Sequence, residues 1–322
     1  MQTLTVICPV YNEEEVIEAF YTELKKVLVS VNNRYTSNVL FVVDRCPDNS
    51  LEILKRIAAL DSTVQIIALS SRFGHQMSLL AGIDNAFTDA VIMMDSDLQH
   101  PPDLIPQLLA EFEKGYDIVY TLGEDTPDIN FFKRTSSKLF YRIINRIAEV
   151  PINESAADFR LVSRKVIEVF QAQIRERNQF LRGLFGWVGF NSTGVPFKVR
   201  KRGAGKSKYS IARMVRFGTD GVVSFSKSPL QAAAYLGFGL ASLGFLLALI
   251  TVIQYFASNR FPSGWATVVV LILIFSGTQL IFMGILGEYI SAIFDEVKAR
   301  PHYIVQEKVN FEDTKTNISR KD

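Results

Sequence analysis

The sequence predicts an α/β protein with a mainly parallel sheet, followed by a hairpin of two membrane-spanning helices near its C-terminal end. Three observations lead to this prediction. Short β-rich runs alternate with segments of helical periodicity up to residue 121, polar side chains follow the ends of those runs, and two long uncharged stretches come later in the 322-residue chain. Alternation of strand and helix is typical of a sheet that is covered by helices on both faces.

The predicted elements follow one another closely. Strands are indicated by short runs of β-branched and other apolar residues, and helices by apolar positions that recur every three or four residues. In chain order they are a strand at 4–10, a helix at 13–29, a strand at 38–43, a helix at 51–60, a strand at 64–69, a helix at 77–87, a strand at 90–94, a helix at 102–114 and a strand at 117–121.

The composition excludes several classes of protein. Hydrophobic residues make up 48% of the chain and charged residues 21%, which does not fit a disordered, collagen-like or coiled-coil protein. There are 35 Lys and Arg against 33 Asp and Glu, a net charge of +2, so the overall charge predicts no nucleic-acid partner. The two cysteines, Cys8 and Cys46, are too few for a disulfide framework and fit a reducing compartment.

Two uncharged stretches predict membrane helices. Residues 228–259 and 261–287 contain no Asp, Glu, Lys, Arg or His, and about 20 apolar residues in a helix span the core of a bilayer. The spans are expected at about 232–256 and 266–287, within a membrane region at 229–291. A buried hairpin in a soluble protein is the alternative.

Basic residues predict the orientation of this hairpin. They are abundant at 198–227 and recur after the second span, whereas the connecting loop carries only Arg260. The positive-inside rule therefore places both termini in the cytoplasm. The predicted organisation is a cytoplasmic domain at 1–209, an amphipathic juxtamembrane segment at 210–228, the two helices, and a cytoplasmic C-terminal tail at 292–322.

Polar side chains stand where the predicted strands end. Asn12 and Glu13 follow the first strand, Asp44 ends the second, Arg72 follows the third and Asp95 follows the fourth. Because parallel strands present their carboxyl ends at one edge of a sheet, these residues are expected to line one crevice. Taken singly, some have a structural alternative, with Asn12 as a helix N-cap and Asp44 as the cap of a turn.

The segment Asp95-Ser96-Asp97 predicts a metal site. It directly follows the apolar run 91–94, and two carboxylates two residues apart can face one cation. Oxygen ligands suit Mg²⁺ or Mn²⁺, with a substrate diphosphate completing the coordination shell. Taken alone, an Asp-x-Asp pattern is also common in solvated turns.

Motifs along nearly the whole chain resemble those of one enzyme family. They are Pro9-Val10-Tyr11-Asn12-Glu13-Glu14, Asp44 with Pro47-Asp48-Asn49-Ser50, Arg72-Phe73-Gly74, Ala81-Gly82, Asp95-Ser96-Asp97-Leu98-Gln99-His100-Pro101-Pro102, Asp158-Phe159-Arg160-Leu161, Gly205-Lys206-Ser207-Lys208-Tyr209 and Leu286-Gly287-Glu288-Tyr289-Ile290. The chain is similar to the family 2 glycosyltransferases of the Rossmann-like GT-A fold. Within them it resembles the polyprenyl-phosphate glycosyltransferases and dolichol-phosphate mannose synthase. The two-helix hairpin and Asp158-Phe159-Arg160 resemble the bacterial glucosyltransferase branch.

The resemblance implies an activity and a cellular location. The activity is metal-dependent, inverting transfer of a sugar to undecaprenyl or another polyprenyl phosphate for surface glycan modification, with UDP-glucose as the first choice of donor. UDP-N-acetylglucosamine, UDP-galactose and GDP-mannose are alternative donors. The implied location is the bacterial inner (cytoplasmic) membrane, as a multi-pass homo-oligomer such as a tetramer. A processive polysaccharide synthase and a non-catalytic membrane scaffold are the alternative functions.

The resemblance also implies roles for individual residues. The nucleotide would be bound by Pro9, Tyr11, Glu13, Asp44, Arg72 and Asp95. The metal would be held by Asp95, Asp97 and Gln99, and the catalytic carboxylates would be Asp95, Asp97 and Asp158. The lipid phosphate or the diphosphate would be bound by Arg134, Ser136, Ser137, Arg160, Arg202, Lys206 and Ser207.

Two of these assignments leave a question open. Asp158 would either orient the sugar or act as a base, and the second pKa of a phosphate monoester, about 6, favours the first role because the acceptor is already ionised. Many relatives have Asp-Asp-Gly-Ser after the second strand, where this chain has Val43-Asp44-Arg45-Cys46. Arg45 thus replaces a flexible glycine, and the contacts of this loop with the nucleotide stay open.

Overall fold

The computed structural model describes residues 1–124, 156–177, 179–198, 226, 228–258 and 264–311. The strands are β1 (Gln2–Val10), β2 (Tyr35–Val43), β3 (Val64–Leu69), β4 (Ala90–Met93), β5 (Ile118–Glu124), β6 (Ala156–Ser163), β7 (Ser192–Lys198) and β8 (Val305–Val309). The helices are α1 (Ile17–Ser30), α2 (Ser50–Leu60), α3 (His75–Asp84), α4 (Ile105–Glu113, after a 3₁₀ turn at Pro102–Leu104), α5 (Arg164–Ala172), α6 (Leu181–Trp187), α7 (Ser228–Ser258) and α8 (Trp265–Lys298). Each element predicted up to residue 121 is present within a few residues of its expected limits.

The strands form one 8-stranded sheet in the order β7-β5-β6-β4-β1-β2-β3-β8. β1 runs parallel to β2 and β4, β2 to β3, and β5 to β7, whereas β6 and β8 are antiparallel to their neighbours. The predicted α/β fold with a mainly parallel sheet is therefore confirmed. In the register of β1, Val10 lies opposite Val43 and Ile7 opposite Met93, so the carboxyl ends of three central strands reach the same edge.

Helices cover both faces of the sheet, each over its own hydrophobic core. One core joins α1, α2 and α4 to the sheet through side chains such as Phe20 and Phe41, and the other joins α3, α5 and α6 through side chains such as Leu79 and Phe170. β1 shows why both cores form, because its consecutive residues are apolar and buried on alternate faces, as in a parallel strand. Gly82 lets α3 approach β1, since a Cβ atom at this position would collide with Ile7.

The strand β8 was not predicted, because residues 292–322 were expected only to form a tail. After α8 the chain returns to the sheet, and β8 pairs antiparallel with the edge strand β3, with Ile66 opposite Val309. The sequence of β8, VQEKV, has three polar residues between two valines, and none of its residues is fully buried. A strand that covers an edge in this way carries little of the apolar alternation on which strand prediction depends.

The helices α7 and α8 are apolar along most of their length and extend beyond the predicted spans, with 31 and 34 residues. Two stretches are long and apolar enough to cross a membrane: Ser228–Leu247, with a mean hydropathy of 1.6, and Val270–Lys298, with 2.1. Large side chains such as Phe238 and Ile281 are exposed along them. The described residues of both stretches are not buried inside the protein, which favours membrane-spanning helices over a buried soluble hairpin.

Candidate active site

The loops that follow β1, β2, β3 and β4 meet at the carboxyl edge of the sheet. The Asp44 amide donates to the Val10 carbonyl at 3.0 Å, which joins the ends of β1 and β2. The Ser96 hydroxyl donates to the Pro9 carbonyl at 2.9 Å and joins the loop after β4 to β1. These bonds bring the predicted polar residues of separate loops to one place, as the strand order requires.

Asp44 holds the loop between β3 and α3. Its two carboxylate oxygens accept hydrogen bonds from the amides of Phe73, at 2.8 Å, and Gly74, at 2.9 Å. Gly74 has a φ of 91°, in the region that favours glycine. This loop also carries Arg72, whose guanidinium lies 4.2 Å from the centre of the Tyr11 ring. Asp44 thus caps a turn, which was its structural alternative, and the loop that it holds places Arg72 against Tyr11.

A second set of hydrogen bonds braces the loops after β1 and β2. The Glu14 amide donates to Asp48 at 3.1 Å, and the Asn49 amide donates to the Glu14 carboxylate at 2.9 Å. The Glu13 amide donates to the Ser50 hydroxyl at 3.0 Å. Glu13 is therefore part of a turn before α1, and the helix begins at Ile17 instead of at residue 13. The brace fixes the backbone that shortly follows Tyr11.

Two residues of these loops have a left-handed backbone conformation. Asn12, proposed as an N-cap, is left-handed with a φ of 61°, and so is Leu98, with a φ of 64°. Such values are uncommon outside glycine and are often found where a loop must present a group to a ligand. Arg45 reaches the Ser70 carbonyl, at 3.4 Å from Nη1, and so contacts the start of the loop that follows β3.

Asp95 is held between two histidines. Its Oδ1 lies 2.7 Å from Nε2 of His75, at the start of α3, and its Oδ2 lies 3.6 Å from Nδ1 of His100. Burial alone would raise the pKa of Asp95, but the hydrogen bond and the charge of His75 outweigh it and hold the pKa far below its ordinary value. Burial would lower the pKa of His75, but the same contact raises it to about 9. At neutral pH the two form an ion pair.

Asp158, at the start of the described part of β6, is held by two arginines. Arg182 contacts both of its oxygens, with Nε 3.3 Å from Oδ1 and Nη2 3.1 Å from Oδ2. Nη2 of Arg160 lies 3.5 Å from Oδ1. Burial would raise the pKa of Asp158, but the charges of Arg182 and Arg160 lower it. Asp158 is consequently ionised at neutral pH and is a weak proton acceptor.

Asp97 and Gln99 are the remaining predicted metal ligands. Asp97 is 7% exposed, and its Oδ1 accepts a hydrogen bond from the backbone N–H of Gln99 at 3.1 Å. Among the described residues no three His, Cys, Asp or Glu side chains are grouped as a metal site. The carboxylate oxygens of Asp97 and the side-chain amide oxygen of Gln99 still fit a hard cation that takes further ligands from a substrate. Asp95, the third predicted ligand, is in contact with His75.

The structure brings together most of the predicted site residues that it describes. Pro9, Tyr11, Glu13, Asp44, Arg72, Asp95, Asp97 and Gln99 lie in the adjoining loops, and Asp158 and Arg160 lie in β6, which pairs with β4. Arg160 is buried and stacks 4.8 Å from the centre of the Phe185 ring, so it faces Asp158 and not an open surface. The predicted phosphate-binding residues Arg134, Ser136, Ser137, Arg202, Lys206 and Ser207 lie outside the described residues.

Sequence reasoning assigned no role in the site to two of the cations that contact its carboxylates, His75 and Arg182. His75 directly follows the predicted Arg72-Phe73-Gly74 motif, and its place in a strand-end loop was a signal for it. Arg182 comes 24 residues after Asp158, on a short helix that no motif marked. It could be found only from the three-dimensional contact.

Comparisons with known proteins give the family to which this fold and site belong. The model of "Glycosyl transferase family 2" matches residues 5–170, and the chain belongs to this family. It is 38% identical over 308 residues to the uncharacterized glycosyltransferase YkcC of Bacillus subtilis, covering 96% of this chain and 94% of that protein. It is 35% identical over 303 residues to the prophage-derived bactoprenol glucosyl transferase of Shigella flexneri, covering 94% and 97%.

A solved structure shows a more distant likeness. Glucosyl-3-phosphoglycerate synthase from Mycobacterium tuberculosis, in complex with Mn²⁺, uridine diphosphate and phosphoglyceric acid, has a TM-score of 0.44 and is 14% identical, with 69% of this chain and 76% of that chain covered.

Proposed function

We propose that this glycosyltransferase moves one sugar from a nucleotide-sugar donor to a polyprenyl phosphate, with glucose from UDP-glucose as the first donor to test. The observation that carries the proposal is the similarity to a bactoprenol glucosyl transferase over 94% of this chain. Bactoprenol is a polyprenol, and the matched length is large enough to include most of the apolar helices. The site geometry supports the same reaction, residue by residue.

The donor nucleotide would lie at the strand ends. Tyr11 and Arg72 form a stacked pair there, and they offer a flat aromatic face beside a positive charge. Asp97 and Gln99 would hold Mg²⁺ or Mn²⁺ against the diphosphate. When bound, such a cation neutralises the negative charge that grows on the departing nucleotide diphosphate. Asp44 would act indirectly, because its carboxylate already holds the loop that carries Arg72.

The acceptor would attack the sugar directly, on the face opposite the nucleotide, which inverts the anomeric centre. A phosphate monoester has a second pKa of about 6 and is largely ionised at neutral pH, so it needs no strong base. Asp158 matches this chemistry, because its pairing with Arg182 and Arg160 keeps it ionised and fixed. It would orient the sugar or stabilise positive charge at the anomeric carbon.

The membrane helices would bring this site to its lipid acceptor. β8 follows α8 in the chain and lies in the same sheet as β1–β7, so the segments before α7 and after α8 are joined in one domain. This arrangement supports a hairpin whose two flanks lie on one side of the bilayer. With the basic residues that flank the helices, it supports a cytoplasmic site at the bacterial inner membrane.

A transfer assay tests the proposed function. Purified protein in detergent is given undecaprenyl phosphate, Mg²⁺ or Mn²⁺ and, one at a time, labelled UDP-glucose, UDP-N-acetylglucosamine, UDP-galactose or GDP-mannose. The expected result is label in the organic phase from one donor, lost on addition of EDTA. Nucleotide binding without lipid-linked label from any donor would contradict the proposal and favour the scaffold alternative.

A further inference from the structure

The Asp158 carboxylate has two arginine partners that differ in their surroundings. Arg160 extends from the same strand as Asp158, and Arg182 comes from α6. Both guanidiniums thus face one carboxylate, but they differ in how far the protein encloses them.

Arg160 is fixed in place by its packing. Its side chain is 5% exposed, and its guanidinium stacks 4.8 Å from the centre of the Phe185 ring. A guanidinium that is enclosed by protein in this way cannot turn toward a substrate without losing its contacts with Asp158 and Phe185. Arg160 therefore serves as the buried counter-charge of Asp158.

Arg182 is held in place but remains accessible. Its two-point contact with Asp158, at 3.3 Å and 3.1 Å, fixes the plane of the guanidinium. Its side chain is still 22% exposed. It is close enough to the His75–Asp95 pair for its charge to affect both residues. A planar guanidinium with a fixed orientation is well suited to bind two oxygens of a phosphate at once.

We propose that Arg182 is a phosphate-binding residue of this active site and that Asp158 holds it in the orientation that binding requires. This inference rests on the proposed function, because that function supplies two phosphate groups, the donor diphosphate and the lipid phosphate. Both groups are phosphates that can present two anionic oxygens to Arg182. Arg182 would then stabilise the negative charge of whichever group it contacts.

The first experiment measures binding, without any transfer step. Wild-type protein, Arg182→Gln, Arg182→Lys and the control Arg175→Gln are titrated with UDP, GDP and farnesyl phosphate, and Tm is followed at constant ionic strength. Arg175 is a matched control because it is a half-exposed arginine that pairs with Asp84, away from the site. We expect Arg182→Gln to bind one class of ligand about tenfold or more weakly. The affinity of Arg182→Lys should lie between those of the wild type and Arg182→Gln, since lysine keeps the charge but lacks the planar guanidinium.

The second experiment separates the two sources of phosphate. In steady-state transfer, a rise in KM for the nucleotide sugar alone would place Arg182 on the diphosphate, and a rise for the lipid alone would place it on the acceptor. A purely structural role would lower Tm without ligand and change neither KM selectively. If Arg182→Gln folds and binds every probe as Arg175→Gln does, the inference is overturned.

Failure of the proposed function would look different. In that case no lipid-linked product forms with wild-type protein, while the binding experiment still reports on Arg182. If Arg182→Gln does not fold, Arg182→Lys decides, and binding equal to that of the wild type would overturn the inference. Wild-type protein that binds none of the three probes would also overturn it.

Discussion

The carboxylates of the cleft are each oriented by protein groups before any substrate arrives. Two backbone amides hold Asp44, an imidazole holds Asp95, and two guanidiniums hold Asp158. A carboxylate that is removed from water needs such partners, because an unpaired buried charge is costly. The consequence is a site with fixed charges, whose geometry does not have to be assembled during the reaction.

Replacing Asp158 tests the role of one fixed charge. Asp158→Asn keeps the shape of the side chain but removes the charge that faces Arg182 and Arg160. We expect kcat for sugar transfer to fall by about two to three orders of magnitude, as for other groups that stabilise a transition state. The measurement is steady-state transfer, with Tm recorded in parallel to show that the protein is folded. Wild-type kcat in a folded Asp158→Asn protein would contradict the assigned role.

A carboxylate outside the site provides a pH-dependent contribution to stability. Burial would raise the pKa of Asp61, but hydrogen bonds from Lys25, Thr63 and Tyr21 lower it below its ordinary value. A lowered folded-state pKa means that the stabilisation is present above the unfolded value of about 4 and is lost as the pH falls through the folded value. The Tm difference between wild type and Asp61→Asn should therefore be largest at pH 7 and narrow from pH 5 to pH 3.

The variant Tyr21→Phe is the control for this effect. It removes one of the donors to Asp61 and leaves the carboxylate in place. The Tm difference from wild type should be smaller than for Asp61→Asn and follow the same trend with pH. A difference that is constant between pH 7 and pH 3 would show that Asp61 is not the group responsible.

At the scale of the elements, β8 completes the sheet after the two long apolar helices. It covers the edge of β3, which would otherwise offer unpaired backbone groups. The Ser70 amide, just beyond β3, donates to the Ile304 carbonyl at 2.9 Å, and Lys55 pairs with Glu307 at 2.8 Å. The Ser70–Ile304 bond fixes the end of β3, from which the loop with Arg72 and His75 departs, and the Lys55–Glu307 pair joins α2 to β8.

Asn310 tests how firmly this strand is attached. Its side-chain amide donates to the carbonyls of Ala58, at 2.8 Å, and Val64, at 2.9 Å, and its φ is 59°. Asn310→Gly loses the amide but tolerates this backbone conformation, and Asn310→Ala loses the amide and is also strained. We expect Tm to fall in the order wild type, Asn310→Gly, Asn310→Ala. The lost hydrogen bonds should lower the free energy of unfolding by about 1 kcal/mol. Equal Tm values for all three proteins would show that Asn310 does not anchor β8.

The difference between buried central strands and an exposed edge strand explains which elements the sequence predicts. The central parallel strands are buried on both faces, so they appear as continuous apolar runs such as 39–43. β8 lies at an edge and is mostly polar, so its sequence resembles a loop. The residues at the strand ends were predictable because alternating strands and helices indicate parallel strands, whose carboxyl ends meet at one edge of the sheet. The partners of Asp95 and Asp158 were not, since His75 and Arg182 come from 20 and 24 residues away.

At the scale of the whole molecule, the two long apolar helices are connected to the sheet at both ends. β7 precedes α7 in the chain, and β8 follows α8. The end of α8 also contacts the catalytic domain directly, because the Arg177 amide donates to Glu296 at 2.7 Å and the Arg177 guanidinium donates to the Ala299 carbonyl at 3.1 Å. The two helices are thus inserted in the chain between two strands of one sheet.

The central claim is that the carboxylates at the strand ends support sugar transfer to a lipid phosphate, and one comparison tests it most directly. Label transferred from UDP-glucose, or from whichever donor the panel identifies, to undecaprenyl phosphate is measured for wild type, Asp97→Asn and the exposed control Asp103→Asn. We expect the wild type and Asp103→Asn to transfer label at similar rates and Asp97→Asn to lose transfer with Mg²⁺ or Mn²⁺ present. Wild-type transfer by a folded Asp97→Asn protein would contradict this account of the site.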